Sequence, residues 1–454
     1  MKKCGMIWIC FLFVLLGRIE CLDTLVAQVR DEEEFADFLS SIQTDFYTYE
    51  DSINRNFADY LEQSWQEFTV YEGIEPPVYT DGTVCLEQKE TVALERDGSF
   101  FGSSLHFPST VEDKLSLSGL SEKEVADGWR SLGDQDFTSF FKTYMGYSRQ
   151  FSLNDWGNYQ LLKYATLQRN TALTSYEQTL FLFYVLSHAG YRAKIGRAGK
   201  DVLVLLLPFE EEVYKRPYIR VGGKKYYIMD LSSQPFKKLY SIESDYPKSD
   251  RVISLQIPVA LDFPIDKVDR HFTGKYPCSL SANRNLLHFY ATIPLCDLSV
   301  YFNASLSTWF TQLMDDVVSK HLKGKRQSEQ MAWLLDFVQQ LFTHKPDVEV
   351  HAKEVYYFPE ETAYYPYADC EDLSVFLSWL VRRYITNDVL ILYYPTHVAI
   401  AVKRYEGYRG EVFTYGGKEY LICDPSYRGS VPGKVIPSCA SLKPVVVSYV
   451  KQRN

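Results

Sequence analysis

Three short segments of this chain carry a thiol, an imidazole and a carboxylate at equal intervals. Cys370 lies in the run Tyr367, Ala368, Asp369, Cys370, Glu371, Asp372; His397 follows Tyr394, Pro395 and Thr396; Asp424 stands between Cys423 and Pro425. Both intervals are 27 residues. A cysteine becomes a strong nucleophile when a base takes its proton. Imidazole is the side chain whose ordinary pKa suits that task near neutral pH. A carboxylate on the second ring nitrogen fixes the tautomer and steadies the imidazolium. In this order the three residue types are the parts of a site for acyl transfer through a thioester.

The elements around them must bring distant positions together. Asp369 can cap a helix, with Asp372 three residues on and Val375, Phe376, Trp379 and Leu380 at helical spacing, so Cys370 is expected in a first helical turn. The positive end of the helix dipole favours thiolate there. Asp369, Glu371 and Asp372 oppose it. Because successive helical positions point about 100° apart, they need not face the sulfur, and a neighbouring imidazolium, His397, would have to outweigh them. His397 heads an apolar run, 398–402, that reads as a buried strand. Asp424 ends a short strand at 419–423, where Pro425 stops pairing, and Cys423 is expected to face away from the site.

This order and spacing, strongest over about residues 326–448, resembles the transglutaminase-like superfamily, whose papain-like core carries Cys, His and Asp in that sequence. It also resembles secreted Gram-negative bacterial proteins that carry the module behind a helical segment. The resemblance implies an α+β fold and a cysteine hydrolase (peptidase or amidase) or transglutaminase-type acyltransferase, acting on peptide, protein or cell-wall-like amide bonds. Cys370, His397 and Asp424 would be its catalytic residues. The alternative is a non-catalytic binding or cell-surface assembly protein that keeps the fold. Beyond the Cys370 backbone N–H, a second oxyanion donor could come from Tyr365 or Tyr367, or from Trp333, since some members use an upstream indole; Tyr394 could wall the groove. No cofactor is expected. No Cys-x-x-Cys or His-Glu-x-x-His spacing occurs, and no metal is expected.

The module reads as present twice. The run Gly222, Gly223, Lys224, Lys225, Tyr226, Tyr227, Ile228, Met229, Asp230 repeats in Gly416, Gly417, Lys418, Glu419, Tyr420, Leu421, Ile422, Cys423, Asp424, offset by 194. At that offset Tyr176 takes the place of Cys370, with Ser175 and Gln178 as a capping box, and neither Leu203 nor Asp201 supplies a histidine. Only the carboxylate, Asp230, recurs. The expected architecture is therefore two tandem transglutaminase-like (papain-like) modules, the first degenerate, preceded by a long N-terminal helix.

The expected segments are a signal peptide at 1–21, a helical or coiled segment at 28–70, the degenerate module at 84–246, and at 247–454 a strand-rich lead-in plus the catalytic module. Lys2 and Lys3 before the short apolar run 6–16 read as a secretory leader, too short to span a bilayer. Export, to periplasm, cell surface or medium, follows as an expectation, with no transmembrane span once the leader is removed. Residues 30–68 recur in apolar positions at steps of three and four and are expected to form a long helix that could pair with another protein. The lead-in is expected to hold strands at 252–257 and near 287–293. Basic residues number 48 against 58 acidic, a net charge of −10, which argues against nucleic acid as partner and leaves a peptide or protein amide as the expected substrate. An oxidising compartment permits disulfides, with Cys278 and Cys296 one pair near in sequence behind the leader.

Overall fold

The computed structural model describes residues 49–76, 98–108, 115–168, 173–229, 237–350, 354–408 and 410–448. The expected leader, residues 30–48 of the long helix, Cys85 and Asp230 lie outside them. The fold is mixed α+β. It divides into two bodies, one of residues 1–65 with 113–136, the other of 66–112 with 137–454.

In the first body a helix covers 49–63 and a second covers Glu122–Gly133. Ser121 and Glu124 form a reciprocal capping box at the latter, which supplies partners to N–H groups that no helical carbonyl can reach. Phe57 packs on the buried Trp129 with ring centroids 4.9 Å apart, and Arg130 bridges Asp59 and Glu62 at 2.8 and 2.7 Å. The expected helix to residue 68 ends at 63. Trp65–Thr69 is strand β1, whose β-favouring Trp, Phe and Thr join a sheet.

The second body contains two sheets of the same plan. The first orders β1, β6 (Lys238–Ile242), β2 (Lys194–Ala198), β3 (Val202–Leu207), β5 (Lys224–Ile228) and β4 (Tyr218–Val221). Between them lie in sequence the hairpin β7 (Lys267–Phe272) with β8 (Cys278–Asn283), and the parallel pair β9 (Thr343–His344) with β10 (Tyr367–Ala368). The second large sheet orders β15 (Val445–Ser448), β11 (Val389–Tyr394), β12 (His397–Lys403), β14 (Lys418–Cys423) and β13 (Phe413–Tyr415). From β6 to β4 and from β15 to β13 the strand order and antiparallel pairing coincide. Both glycine pairs turn with positive φ, 53° and 79° at Gly222 and Gly223, 56° and 75° at Gly416 and Gly417. Such a two-residue turn needs φ > 0 at both places, which explains why this part of the repeat is the most legible.

The equivalence shifts by one residue elsewhere. The helices start at Ser175 and Cys370, and the central strands start at Val202 and His397. Thr174 with Glu177, not Ser175 with Gln178, makes the capping box. Ser175 therefore stands at the place of Cys370, Tyr176 at that of Glu371, and Val202 at that of His397. The second copy is one residue shorter between its central strand and its glycine turn, so an ungapped offset misplaces the helix start.

The lead-in differs from expectation as well. Residues 284–292 form a helix, capped by Asn283 and burying Leu286, Leu287, Phe289 and Tyr290, a spacing that a short apolar run shares with alternation. Residues 252–257 form only an isolated bridge, Phe209 with Ile253. Cys278 and Cys296 are both free thiols. Among the described residues no helix is long and apolar enough to cross a membrane.

Candidate active site

β11 is buried throughout and β12 at all but its last residue, which is why both read as near-continuous apolar runs. The Cys370–Tyr384 helix packs on β12, where the buried Ser374 hydroxyl donates to the Val398 carbonyl at 3.1 Å. His397 is the first residue of β12 and pairs with Tyr394 across the hairpin.

Asp424 is fully buried and follows β14 directly. Its Oδ2 accepts from His397 Nε2 at 2.8 Å and from the Ile436 N–H at 3.1 Å. Its Oδ1 accepts from the Ser426 N–H and hydroxyl, at 3.2 and 2.8 Å, and from the Tyr427 N–H at 3.1 Å. Burial alone would raise this carboxyl; the hydrogen bonds and charge of His397, with Ser426 and Ile436, overcome it and hold Asp424 below its usual value. Asp424 is thus an ionised acceptor, and the Nε2–H bond leaves His397 Nδ1 as the basic nitrogen. Among the described residues Nδ1 has no hydrogen-bond partner.

Cys370 is the first residue of its helix, behind the N-cap Asp369. The Val398 N–H lies near enough to its sulfur to favour the thiolate slightly, which places Cys370 beside the residue that follows His397. The thiol itself is hydrogen-bonded to Glu371 Oε2 at 2.8 Å. Of the neighbouring carboxylates, Glu371 does face the sulfur. Cys370 keeps some solvent exposure, yet its sulfur is surrounded by protein, and burial, then Glu371, then Asp369 push the thiol well above its ordinary pKa. The helix dipole does not prevail. At rest the sulfur is a protonated thiol held by Glu371.

The carboxylates behind Cys370 are structural as well as electrostatic. The Asp369 carboxylate accepts from the Asp372 N–H at 3.3 Å, and Asp372 Oδ1 accepts from the Tyr357 N–H at 2.8 Å, tying the 354–358 segment to the helix start. Burial raises Glu354 to about 7 and Asp369 to about 6, and lifts Glu371 and Asp372 well above the carboxylate range. Oxygens of Asp347, Glu354 and Asp369, all buried, lie within 4.8 Å of one another and could offer ligands to a cation. Asp347 already accepts from the Val355 N–H at 2.5 Å.

The remaining candidates separate. Tyr394 is buried with its ring 6.5 Å from that of His397. Tyr367, in β10, lies beneath Lys345 Nζ at 4.1 Å. Tyr365 stacks on the buried Tyr357 at 4.8 Å. Trp333 is committed elsewhere, stacked on His321 and Phe337 at 4.8 and 4.9 Å and edge-on to Tyr276. Tyr356, Tyr357 and Phe358, in the segment tied to the helix start, are buried packing residues.

Two residues were not foreseen. Gln339, buried in the Gln327–Leu341 helix, donates through Nε2 to the Asp424 carbonyl, the Tyr427 carbonyl and the Ser430 hydroxyl at 3.2, 3.1 and 2.9 Å. Its Oε1 accepts from the Gly429 N–H at 3.1 Å, so one side chain fixes the loop after Asp424. A glutamine on the apolar face of an amphipathic helix was the available signal. His344, in β9, pairs in register with Ala368, two residues before Cys370. The charges acting on its ring include those of His397 and Asp424.

Compared with family models, curated proteins and solved structures, the chain matches none.

Proposed function

We propose that this chain is an exported thiol-dependent acyl-transfer enzyme of transglutaminase-like architecture, with a second module bearing the site and a first, degenerate module as scaffold. The observation that carries the reading is the buried His397–Asp424 pair, 2.8 Å from Nε2 to Oδ2, set beside the helix turn that presents Cys370. A carboxylate held by backbone N–H groups, aimed at one imidazole nitrogen, orients the other for proton transfer.

In the proposed cycle the Cys370 sulfur turns from Glu371 toward the substrate, and His397 Nδ1 takes its proton. The sulfur bonds to the carbonyl carbon of a peptide or protein amide. The C–N bond breaks as His397 returns the proton to the leaving amine. Water, or an acceptor amine, then attacks the thioester while His397 receives its proton; the C–S bond breaks and the thiol is restored. Supporting the reading are the Val398 N–H near the sulfur and the open Nδ1. A net charge of −10 speaks against a nucleic-acid partner. Residues 30–48 of the helix proposed as a partner-binding element lie outside the described residues.

One observation favours the alternative, a binding protein on the same scaffold: Glu371 and Asp369 hold Cys370 as a thiol. Peptides carrying a chloromethyl ketone or vinyl sulfone at the C-terminus separate the two. The proposal requires an adduct on Cys370, found by peptide mass mapping, that disappears in the His397→Ala protein. Labelling spread over Cys278 and Cys439 and indifferent to His397 would establish the binding reading instead.

A further inference from the structure

The two large sheets coincide strand for strand except at one place. The first carries β1 on the outer edge of β6, whereas among the described residues the outer edge of β15 carries no strand or bridge. Just past β1 the Val70 N–H donates to the Lys237 carbonyl at 3.0 Å, and Tyr71 exchanges two backbone hydrogen bonds with Tyr218 of β4, at 2.8 and 3.1 Å. The stretch 65–71 therefore reaches both edges of the first sheet. Phe68 and Val70 pack on the core of that sheet. Glu67, on the opposite face by strand alternation, pairs with Lys238 Nζ at 2.6 Å and accepts from the Tyr240 hydroxyl at 3.4 Å.

The strand registers show what stands at the same places in the second sheet. Val202 and His397, which occupy equivalent positions, pair with Ala198 and Tyr394. One residue earlier, Arg197 and Tyr393 pair on their other side with Tyr240 and Val445. Val445 is thus the counterpart of Tyr240, and two residues before each, Lys443 is the counterpart of Lys238. The cation that fastens β1 is repeated. So is the inward position: Ser241 is buried, and Val446 in its place packs on the core of the second sheet. Val445 is 71% exposed, and Lys443 is exposed with no ionic partner among the described residues. Edge strands are ordinarily blunted by a charge, a bulge or a covering segment. Val445, Val446, Val447 and Ser448 carry no charge and pair on one side only.

We propose that the outer edge of β15 takes an extended segment of another protein as an added strand, with a carboxylate on Lys443 and apolar side chains at the first and third residues after it, turned toward the core. This is the pattern with which β1 and the residue after it occupy β6: Glu67, then Phe68 and Val70. Backbone hydrogen bonds to the β15 edge attach such a strand, and the carboxylate and the alternate apolar side chains select it. A second copy offering its own β15 fits less well. Two such strands related by a two-fold axis run antiparallel, so the Lys443 end of each meets the end beyond Ser448 of the other, where Lys451 and Arg453 follow in sequence. The surface does not depend on the chemistry at Cys370.

The probe is a fluorescein-labelled peptide with the sequence of residues 64–71, titrated with the full chain and read by fluorescence anisotropy. Binding should weaken about three- to tenfold at low salt in Lys443→Glu, and equally in the native protein when the peptide carries Glu67→Lys. Combining the two reversals should restore it, and the differences should shrink as salt is raised. Two peptides N-methylated on alternate residues, one at Gln66, Phe68 and Val70 and the other at Trp65, Glu67 and Thr69, test the backbone. One should lose binding and the other keep it, since only one edge of an added strand pairs. Anisotropy that stays at the value of the peptide alone overturns the proposal. Binding indifferent to Lys443→Glu also overturns it, by placing the peptide on the first sheet. A native protein that sediments as a dimer which the peptide competes apart overturns it too, because a second copy would then hold the edge.

Discussion

The two sheets of the second body share strand order, pairing directions and a positive-φ glycine turn, yet their helix starts are built on opposite terms. In the first, Thr174 and Glu177 close an ordinary capping box, with Ser175 exposed at the place of Cys370 and Val202 at that of His397. In the second, Asp369 and Asp372 close the box inside the protein, Glu371 is buried beside them, and a histidine–carboxylate pair lies next door. Clustered buried carboxyl groups disfavour folding unless they share protons or find donors, whereas the cap of the first sheet carries no such strain. The fold itself does not need this arrangement, because the first sheet forms without it. What the second sheet adds is what the chemistry proposed for Cys370 would use.

The comparison can be broken most forcefully at His397. His397→Ala should slow acylation of Cys370 by an electrophilic peptide about 10²- to 10⁴-fold. Ser175→Cys in the first sheet should titrate as an ordinary exposed thiol, with a pKa of about 8.5; a markedly lower value would mean that a base exists there after all. Asp424→Asn should leave the circular dichroism spectrum intact and slow acylation about 10²-fold or more through the wrong imidazole tautomer. Unchanged rates in that variant would remove Asp424 from the mechanism.

Smaller effects sharpen the contrast. Gln339→Ala removes the bonds that hold the 424–430 loop and should lower the unfolding free energy by about 2–3 kcal/mol, read from urea denaturation, with protease cleavage appearing in that loop. Glu354→Gln tests the buried acids through pH. A carboxyl whose pKa is raised by folding holds its proton more tightly folded than unfolded, so its contribution is complete below about pH 4 and is lost as pH rises through about 7 for Glu354 and about 6 for Asp369. The variant should therefore gain on the native protein as pH increases from 5 to 8, by about 1 kcal/mol. Asp424 runs the other way: its lowered pKa contributes stability above about pH 4 that disappears as acid protonates it. A denaturant midpoint difference that is flat across pH 5 to 8 would show that Glu354 is not ionised against its surroundings.

Much of this was legible from residue order because the relevant signals are local. The capping pattern at Asp369 and Asp372 placed the Cys370 helix, the apolar run after His397 placed β12, and the glycine pair marked the repeated hairpin. Side-chain direction was not legible. A rotation of about 100° per residue leaves open whether Glu371 faces Cys370, and a glutamate is long enough to reach back to the thiol, as it does here. The helix at 284–292 was read as a strand because its apolar residues fit both periods over so short a run. Ser175 was missed as the counterpart of Cys370 because one residue of length difference lies between the two landmarks used to align the copies. Gln339 and His344 act across long sequence separations, and no spacing rule points to their partners.

The central claim is that His397 can take the Cys370 proton once the thiol leaves Glu371. The most direct measurement is the pH dependence of Cys370 alkylation by iodoacetamide in the native protein, in Glu371→Gln and in Glu371→Gln combined with His397→Ala. The account predicts that replacing the Glu371 carboxyl that holds the thiol moves the rise in rate to lower pH, and that the added His397→Ala substitution reverses that gain. Three superimposed profiles, each rising as an ordinary thiol does near pH 8.5, would contradict it.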